Sequence, residues 1–313
     1  WEDDDNIKAI LFDSLCDKGF CAGGDLKEIY NNYLLNEACK NKDEFYEEEF
    51  ILDKYVKDYK KPIISHYFGI VMGGGIGLSV NSDFIITDES VTWAMPETRL
   101  GFVPDVGVCK HLSKLPQALG QYLGLCGESL SSSDLIKYNL ADLYIEAKDY
   151  GKILNILFDL SKDYDGKELI EKLKEQTKEY KNFENKSEVS KNIGKIEKYF
   201  SFDSIEEIFK NLEKNQDDDF AKKCLENLKE RCHFMLAVQF EKYFICKNLI
   251  PEEVFDLDLK ILRYSRKSGL MEEGIRSLII DKEDASWKGK SIEQVSMDKV
   301  KNLLEIENLY KYR

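Results

Sequence analysis

Two carboxylates stand eight residues apart in apolar, proline-marked surroundings: Glu97 in Ala94-Met95-Pro96-Glu97-Thr98, and Asp105 in Gly101-Phe102-Val103-Pro104-Asp105-Val106-Gly107. A carboxyl group drawn out of water is harder to ionise, so its pKa rises toward neutrality, where it exchanges protons efficiently at physiological pH. The chemistry such a pair can do is acid/base or nucleophilic. The same residues also suit local work, with Glu97 capping a helix and Asp105 fixing a turn, and their spacing alone does not choose.

Two glycine-rich turns accompany them. Met72-Gly73-Gly74-Gly75-Ile76-Gly77 follows an apolar run and precedes Leu78-Ser79-Val80, so glycines sit where a strand turns into a helix and expose backbone N–H groups at the positive end of its dipole. It is neither GxGxxG nor a P-loop, because no Lys-Ser/Thr follows. An anion site built from main-chain donors and a tight turn needing positive φ are both open at this point. A second pair, Cys21-Ala22-Gly23-Gly24-Asp25, also follows a strand and opens a helical pattern. Two such turns aimed at one oxygen would stabilise the negative charge that builds on a carbonyl during acyl transfer. A serine nucleophile is disfavoured, since no Gly-x-Ser-x-Gly elbow is present.

The elements that must position these residues follow from apolar runs and caps. Residues 7–12, 62–71 and 84–87 read as buried strands, residues 26–59 as mostly helix, and residues 141–146 as a further short strand. Strands alternating with helices predict a parallel α/β arrangement. Ser131 with Asp134, and Ser204 with Glu207, have the spacing of capping boxes, and Asp217–Asp219 marks a loop or cap. After about residue 150 the composition shifts to Lys- and Glu-rich helical spacing, broken at residues 163–166 and 182–190, with amphipathic helices over 220–244 and 255–280. We therefore expect a core domain over residues 1–150 and a helical region over 151–313 packed on it.

A chain of 313 residues, 43% hydrophobic and 12% aromatic, can bury a large core, which excludes a disordered polymer. With 45 basic against 59 acidic residues its net charge is -14, which repels a phosphate backbone and argues against direct nucleic-acid binding. No apolar run approaches the roughly 20 residues that span a bilayer, so no membrane association is expected. Eight scattered cysteines without CxxC predict reduced thiols in an intracellular compartment. His66, His111 and His233 lack metal-ligand spacing, and no metal site is expected.

FCAGGD (20–25), GIVMGGGIGLS (69–79), AMPET (94–98) and GFVPDVG (101–107), in this order, resemble the crotonase superfamily, most closely its 3-hydroxyisobutyryl-CoA hydrolase branch. The likeness continues through SFDSIEEIFKNL (201–212) and MEEGIRSLIIDK (271–282) followed by Trp287, which favours that branch. The resemblance implies a spiral of stacked ββα units with a helical C-terminal half, its first unit lying before Trp1 and missing here. It implies an oxyanion hole from the N–H groups of Gly24 and Gly74, with coenzyme A along the Ala22–Gly24 turn and Ala22, Gly23, Gly73 and Asp25 as substrate neighbours. It makes Glu97 the nucleophile or general base, and Asp105 the residue that positions a 3-hydroxyl or relays a proton. Similar hydratases carry a second glutamate on the helix after the triple glycine, where this chain has Gly77.

The implied activity is hydrolysis of a short 3-hydroxyacyl-CoA, foremost 3-hydroxyisobutyryl-CoA in valine catabolism, in the mitochondrial matrix. No cofactor is expected, since coenzyme A is part of the substrate, and a homo-oligomer is possible. The rivals are enoyl-CoA hydration or isomerisation, and a non-catalytic role such as that of hydrolase-like subunits of mitochondrial ribosomes.

Overall fold

The computed structural model describes residues 1–35, 43–181, 187–287 and 291–305. Cys39 and residues 182–186 of the expected polar break lie outside them. The chain forms two compact units interleaved along the sequence: Trp1–Gly23, Ile51–Ala94 and Ser129–Lys191 make the first, and Gly24–Phe50, Met95–Glu128 and Asn192–Arg313 the second. Residue 150, the boundary expected from composition, thus falls inside the first unit.

In the first unit the chain winds so that successive turns add a strand to each of two parallel sheets. Strands β1 (Ile10–Phe12), β2 (Ile63–Tyr67), β4 (Phe84–Thr87) and β6 (Leu143–Tyr144) form one sheet in the order β1-β2-β4-β6. β3 (Ile70–Met72) pairs with β5 (Thr92–Ala94) in the other, and Cys21 adds an isolated parallel bridge to Val71. β2 and β4 are buried along their whole length, as expected of parallel strands covered on both faces. The apolar run 62–71 is therefore two strands, not one. Gly69, at φ 51°, turns the chain between them, and a Cβ there would lie 2.3 Å from the Lys18 carbonyl oxygen.

The helices Tyr150–Leu160 and Gly166–Gln176 belong to this unit because their apolar stripes cover the sheet: Ile153, Leu160, Leu169 and Leu173 pack with Ile64, Phe84, Ile86 and Leu143. Each fully buried side chain of this kind contributes about 1.5–3 kcal/mol. The Ser131 capping box forms as its spacing predicts, with the Asp134 carboxylate accepting from the Ser131 amide at 3.0 Å and opening helix Ser132–Lys137.

The second unit is helical. The predicted 220–244 segment is two helices, Asp219–Lys229 and His233–Cys246, the first capped by Asp218. Helix His233–Cys246 runs against Gln117–Cys126, where Gly120 and Gly124 admit the Tyr243 ring and the Gln239 amide; a Cβ at either would come within 2.6 Å of them. Ser204 caps Ile205–Lys214 by accepting from the Glu207 amide at 3.2 Å. Pro251–Lys267 and Leu270–Ile275 complete the scaffold around Glu97 and Asp105.

Candidate active site

Within the first unit the two glycine turns meet. Cys21 donates to the Ile70 carbonyl at 3.1 Å and accepts from the Met72 amide at 2.9 Å, which fastens the first turn along β3. A Cβ at Gly23, whose φ is 91°, would lie 3.2 Å from the Gly74 nitrogen, and one at Gly75 would lie 2.5 Å from the Cys21 oxygen, so both positions need glycine for close approach. Gly73, at φ 53°, precedes the short helix Gly74–Gly77, and Gly74 as its first residue has an N–H outside the intrahelical ladder. Gly24 follows Gly23 directly and begins the second unit. Ala22 and Gly24 are exposed, as a lip open to a ligand would be. Asp25 is occupied locally: its carboxylate accepts from the amides of Lys27 at 2.9 Å and Glu28 at 3.1 Å, capping helix Leu26–Leu35.

Glu97 and Asp105 both lie in the second unit and both are buried, at 8% and 6% exposure. Glu97 opens a tight 3-10 turn, Glu97–Leu100, which closes at left-handed Gly101 and whose Glu97 carbonyl accepts from Phe102 at 3.2 Å. The turn is tied down by Arg231, whose guanidinium donates to Thr98 Oγ1 at 2.6 Å and to the Cys126 carbonyl. Glu97 Oε2 is buried and finds no hydrogen-bond partner among the described residues. A buried acceptor left open this way costs about 1–3 kcal/mol, so it is a position kept for something other than stability.

Asp105 sits in the 104–107 loop, which holds Val106 at φ 49°. That is a left-handed conformation which a β-branched residue adopts only under imposed constraint, at a cost of about 1–3 kcal/mol. The constraint is visible on both sides of Asp105. The Lys242 ammonium donates to the Pro104 carbonyl, and the Gly107 amide donates to Asp258 Oδ2 at 2.9 Å. Lys242 and Asp258 form an ion pair with both side chains fully buried.

Burial dominates the electrostatics. It pushes the Glu97 carboxyl up to about 8, with Lys242 and Arg231 pulling back and Glu49 adding repulsion. Asp105 is raised well above the usual aspartate range, first by burial and then by the charges of Glu97, Glu49 and Asp258. Glu49, on helix Glu44–Lys57, is itself pushed up to about 7 by burial. This third carboxyl was not picked out from the sequence, because it stands in a run of glutamates, Glu47-Glu48-Glu49, with nothing to distinguish it.

The unfolded chain releases these protons near the ordinary carboxyl range, about pH 4–4.5. The folded chain keeps that of Glu97 to about pH 8. By linkage, the stability contributed by the protonated group is fully present below the unfolded pKa and is lost as pH rises through the folded one. The thermal midpoint of the natural chain is therefore expected to fall, relative to that of Glu97→Gln, as pH rises from about 4.5 to 8. Parallel midpoint curves for the two proteins over that window would contradict the burial of an ionisable Glu97.

Comparison with known proteins bears on this arrangement. A family model described as enoyl-CoA hydratase/isomerase matches residues 1–304. The "3-hydroxyisobutyryl-CoA hydrolase, mitochondrial" of Xenopus tropicalis is 32% identical over 302 residues, covering 95% of this chain and 77% of that protein. The protein of the same name from Dictyostelium discoideum is 31% identical over 300 residues, covering 93% and 77%. Among solved structures, a carnitinyl-CoA dehydratase from Mycobacterium thermoresistibile superposes with a TM-score of 0.83 at 25% identity, over 98% of this chain and 85% of that one. With two parallel sheets built turn by turn and matches spanning nearly its whole length, the chain belongs to the enoyl-CoA hydratase/isomerase family and has the crotonase fold.

Proposed function

We propose that the chain hydrolyses a short 3-hydroxyacyl-CoA thioester, with 3-hydroxyisobutyryl-CoA, an intermediate of valine breakdown, as the substrate. The observation that carries this is the pair Glu97 and Asp105: two carboxyls buried together in one unit, both raised in proton affinity, with one oxygen left open. Kinship with proteins named 3-hydroxyisobutyryl-CoA hydrolase supports the choice of substrate, and the word mitochondrial in their names supports the matrix as its location. No described helix is long and apolar enough to cross a membrane.

In this mechanism the thioester carbonyl accepts from the amides of Gly24 and Gly74, each such donor being worth about 3 kcal/mol in the transition state. Coenzyme A lies along Ala22–Gly24 beside Gly73, and Asp25 holds that turn by its cap. Glu97 as carboxylate adds to the carbonyl carbon or takes a proton from the attacking water. In the first route the C–S bond breaks to leave a Glu97–acyl anhydride and a thiolate, and water then cleaves the anhydride, its oxygen entering the acid and its proton ending on the thiolate. In the second the water oxygen joins the carbonyl carbon, the C–S bond breaks, and the proton held by Glu97 passes to the thiolate. Asp105 hydrogen-bonds the 3-hydroxyl and fixes the acyl chain. A base whose pKa lies near neutrality is matched to this task.

Hydration or isomerisation of an enoyl-CoA is the second reading, favoured by the family description and by the solved dehydratase. Against it, the helix that begins within the triple glycine, Gly74–Gly77, carries no carboxylate. A panel of 3-hydroxyacyl and enoyl thioesters separates them: free thiol appearing with 3-hydroxyisobutyryl-CoA is expected, while loss of enoyl absorbance without thiol would establish the rival. Neither signal, together with co-sedimentation with ribosomal particles, would make the chain a non-catalytic subunit.

A further inference from the structure

We infer that Lys242, paired with Asp258, is a positioning residue for catalysis: the buried pair grips the backbone on both sides of Asp105 and so holds its carboxyl toward the acyl chain. The inference rests on the proposed function, because it takes Asp105 as the group that meets substrate. Lys242 comes from helix His233–Cys246 and Asp258 from helix Pro251–Lys267, and both are 0% exposed. Lys242 donates to the carbonyl of Pro104, the residue before Asp105. Asp258 accepts at 2.9 Å from Gly107, two residues after it. Between these anchors Val106 is held at φ 49°, and the Phe255 ring fills the space under Gly107, where a Cβ would lie 2.8 Å from it.

A buried ion pair is seldom the cheapest way to stabilise a core, since an apolar pair of similar volume is often as stable. A pair that also bonds Pro104 and Gly107, the two ends of one strained loop, does a different job. The groups facing Asp105 are Glu97 from the 97–100 turn, Tyr46 and Glu49 from helix Glu44–Lys57, Asp258, and Lys242 as the cation among them; Arg231 stands by Glu97, and the Cys109 and Cys246 thiols by Lys242. Burial opposes the Lys242 charge, but Asp258 and the two thiols outweigh it and raise its proton affinity above the lysine value. The ammonium therefore stays charged and restrains the proton affinity of both Glu97 and Asp105.

The test compares the natural chain with Lys242→Met and with the double variant Lys242→Met/Asp258→Asn. The double variant leaves no unpaired charge and retains an acceptor for Gly107. For thiol release from 3-hydroxyisobutyryl-CoA, displacing a reacting group by about 1 Å costs roughly a hundredfold. The folded double variant is expected to lose about that factor in kcat with KM changed little, and the rising limb of its pH profile should move to higher pH. The Asp105 carboxyl is also titrated directly by 13C NMR in aspartate-labelled protein, its signal identified with Asp105→Asn. Lys242→Met removes the cation and keeps the Asp258 carboxyl, so an upward displacement of that titration in this single variant supports the inference whether or not the natural chain turns over this substrate. A natural chain that releases no thiol sinks the proposed function by itself. A folded double variant with unchanged kcat and unchanged pH profile, together with an Asp105 titration unchanged in Lys242→Met, overturns the role given to Lys242.

Discussion

Glu97→Gln is expected to lower kcat for thiol release by about 10²- to 10⁴-fold, the range that a positioned acid/base group supplies. The substitution keeps the shape of a side chain that is almost wholly buried, and removes only its capacity to ionise. It also relieves the repulsion among Glu97, Asp105 and Glu49, so the variant should be at least as stable as the natural chain near pH 8. Coenzyme A affinity, measured by calorimetry, should stay within about threefold, because the proposed contacts of the coenzyme A part of the substrate lie at the glycine turns and removing a group used only in the transition state leaves ground-state binding alone. Loss of turnover together with loss of coenzyme A binding would instead mean that Glu97 holds the site together.

The second large effect belongs to Asp105→Asn. Asparagine fits the same volume and can still hydrogen-bond a hydroxyl, but it cannot relay a proton or exert the field of a carboxylate. We expect about a hundredfold loss in kcat on 3-hydroxyisobutyryl-CoA, in the range for a misplaced or missing acid/base partner. On isobutyryl-CoA, which lacks the 3-hydroxyl, the natural chain has no hydroxyl for Asp105 to hold, so the variant should differ from it much less. Equal losses on both thioesters would remove substrate recognition from Asp105 and leave it a purely electrostatic or structural part.

Local signals were legible wherever local physics decides the outcome. Phe84–Thr87 is a strand over the residues its apolar run marks, and the caps at Ser131 and Ser204 form because their partners are three residues away and need no tertiary help. The run 62–71 hid a break, although Gly69 inside a strand pattern is the conventional sign of one. The composition change near residue 150 was real in character, yet it does not follow the compact units. The first two helices beyond it carry Ile153, Leu169 and Leu173, which have to cover the sheet.

The site itself was half legible. Pro-Glu and Pro-Asp in apolar surroundings draw attention to Glu97 and Asp105, both of which are buried, and glycine clusters mark the turns. Glu49 is lost in a run of glutamates whose helical face only tertiary packing can choose. Lys242 left a fainter trace: a lone lysine one helical turn beyond Val238 and one before Cys246, on a face that is otherwise apolar. Such a lysine usually extends to solvent, and here its burial depends on Asp258, which lies in a different helix.

The central claim is that buried carboxyls at 97 and 105 direct water onto a coenzyme A thioester. It is tested most directly by turnover of 3-hydroxyisobutyryl-CoA in 18O-labelled water, with mass analysis of the acid product and parallel measurement of free thiol. The account predicts one labelled oxygen in the carboxyl group of the product and one thiol per product molecule, with both signals lost in Glu97→Gln. An intact thioester without thiol, or equal label and thiol from the Glu97→Gln protein, would contradict it.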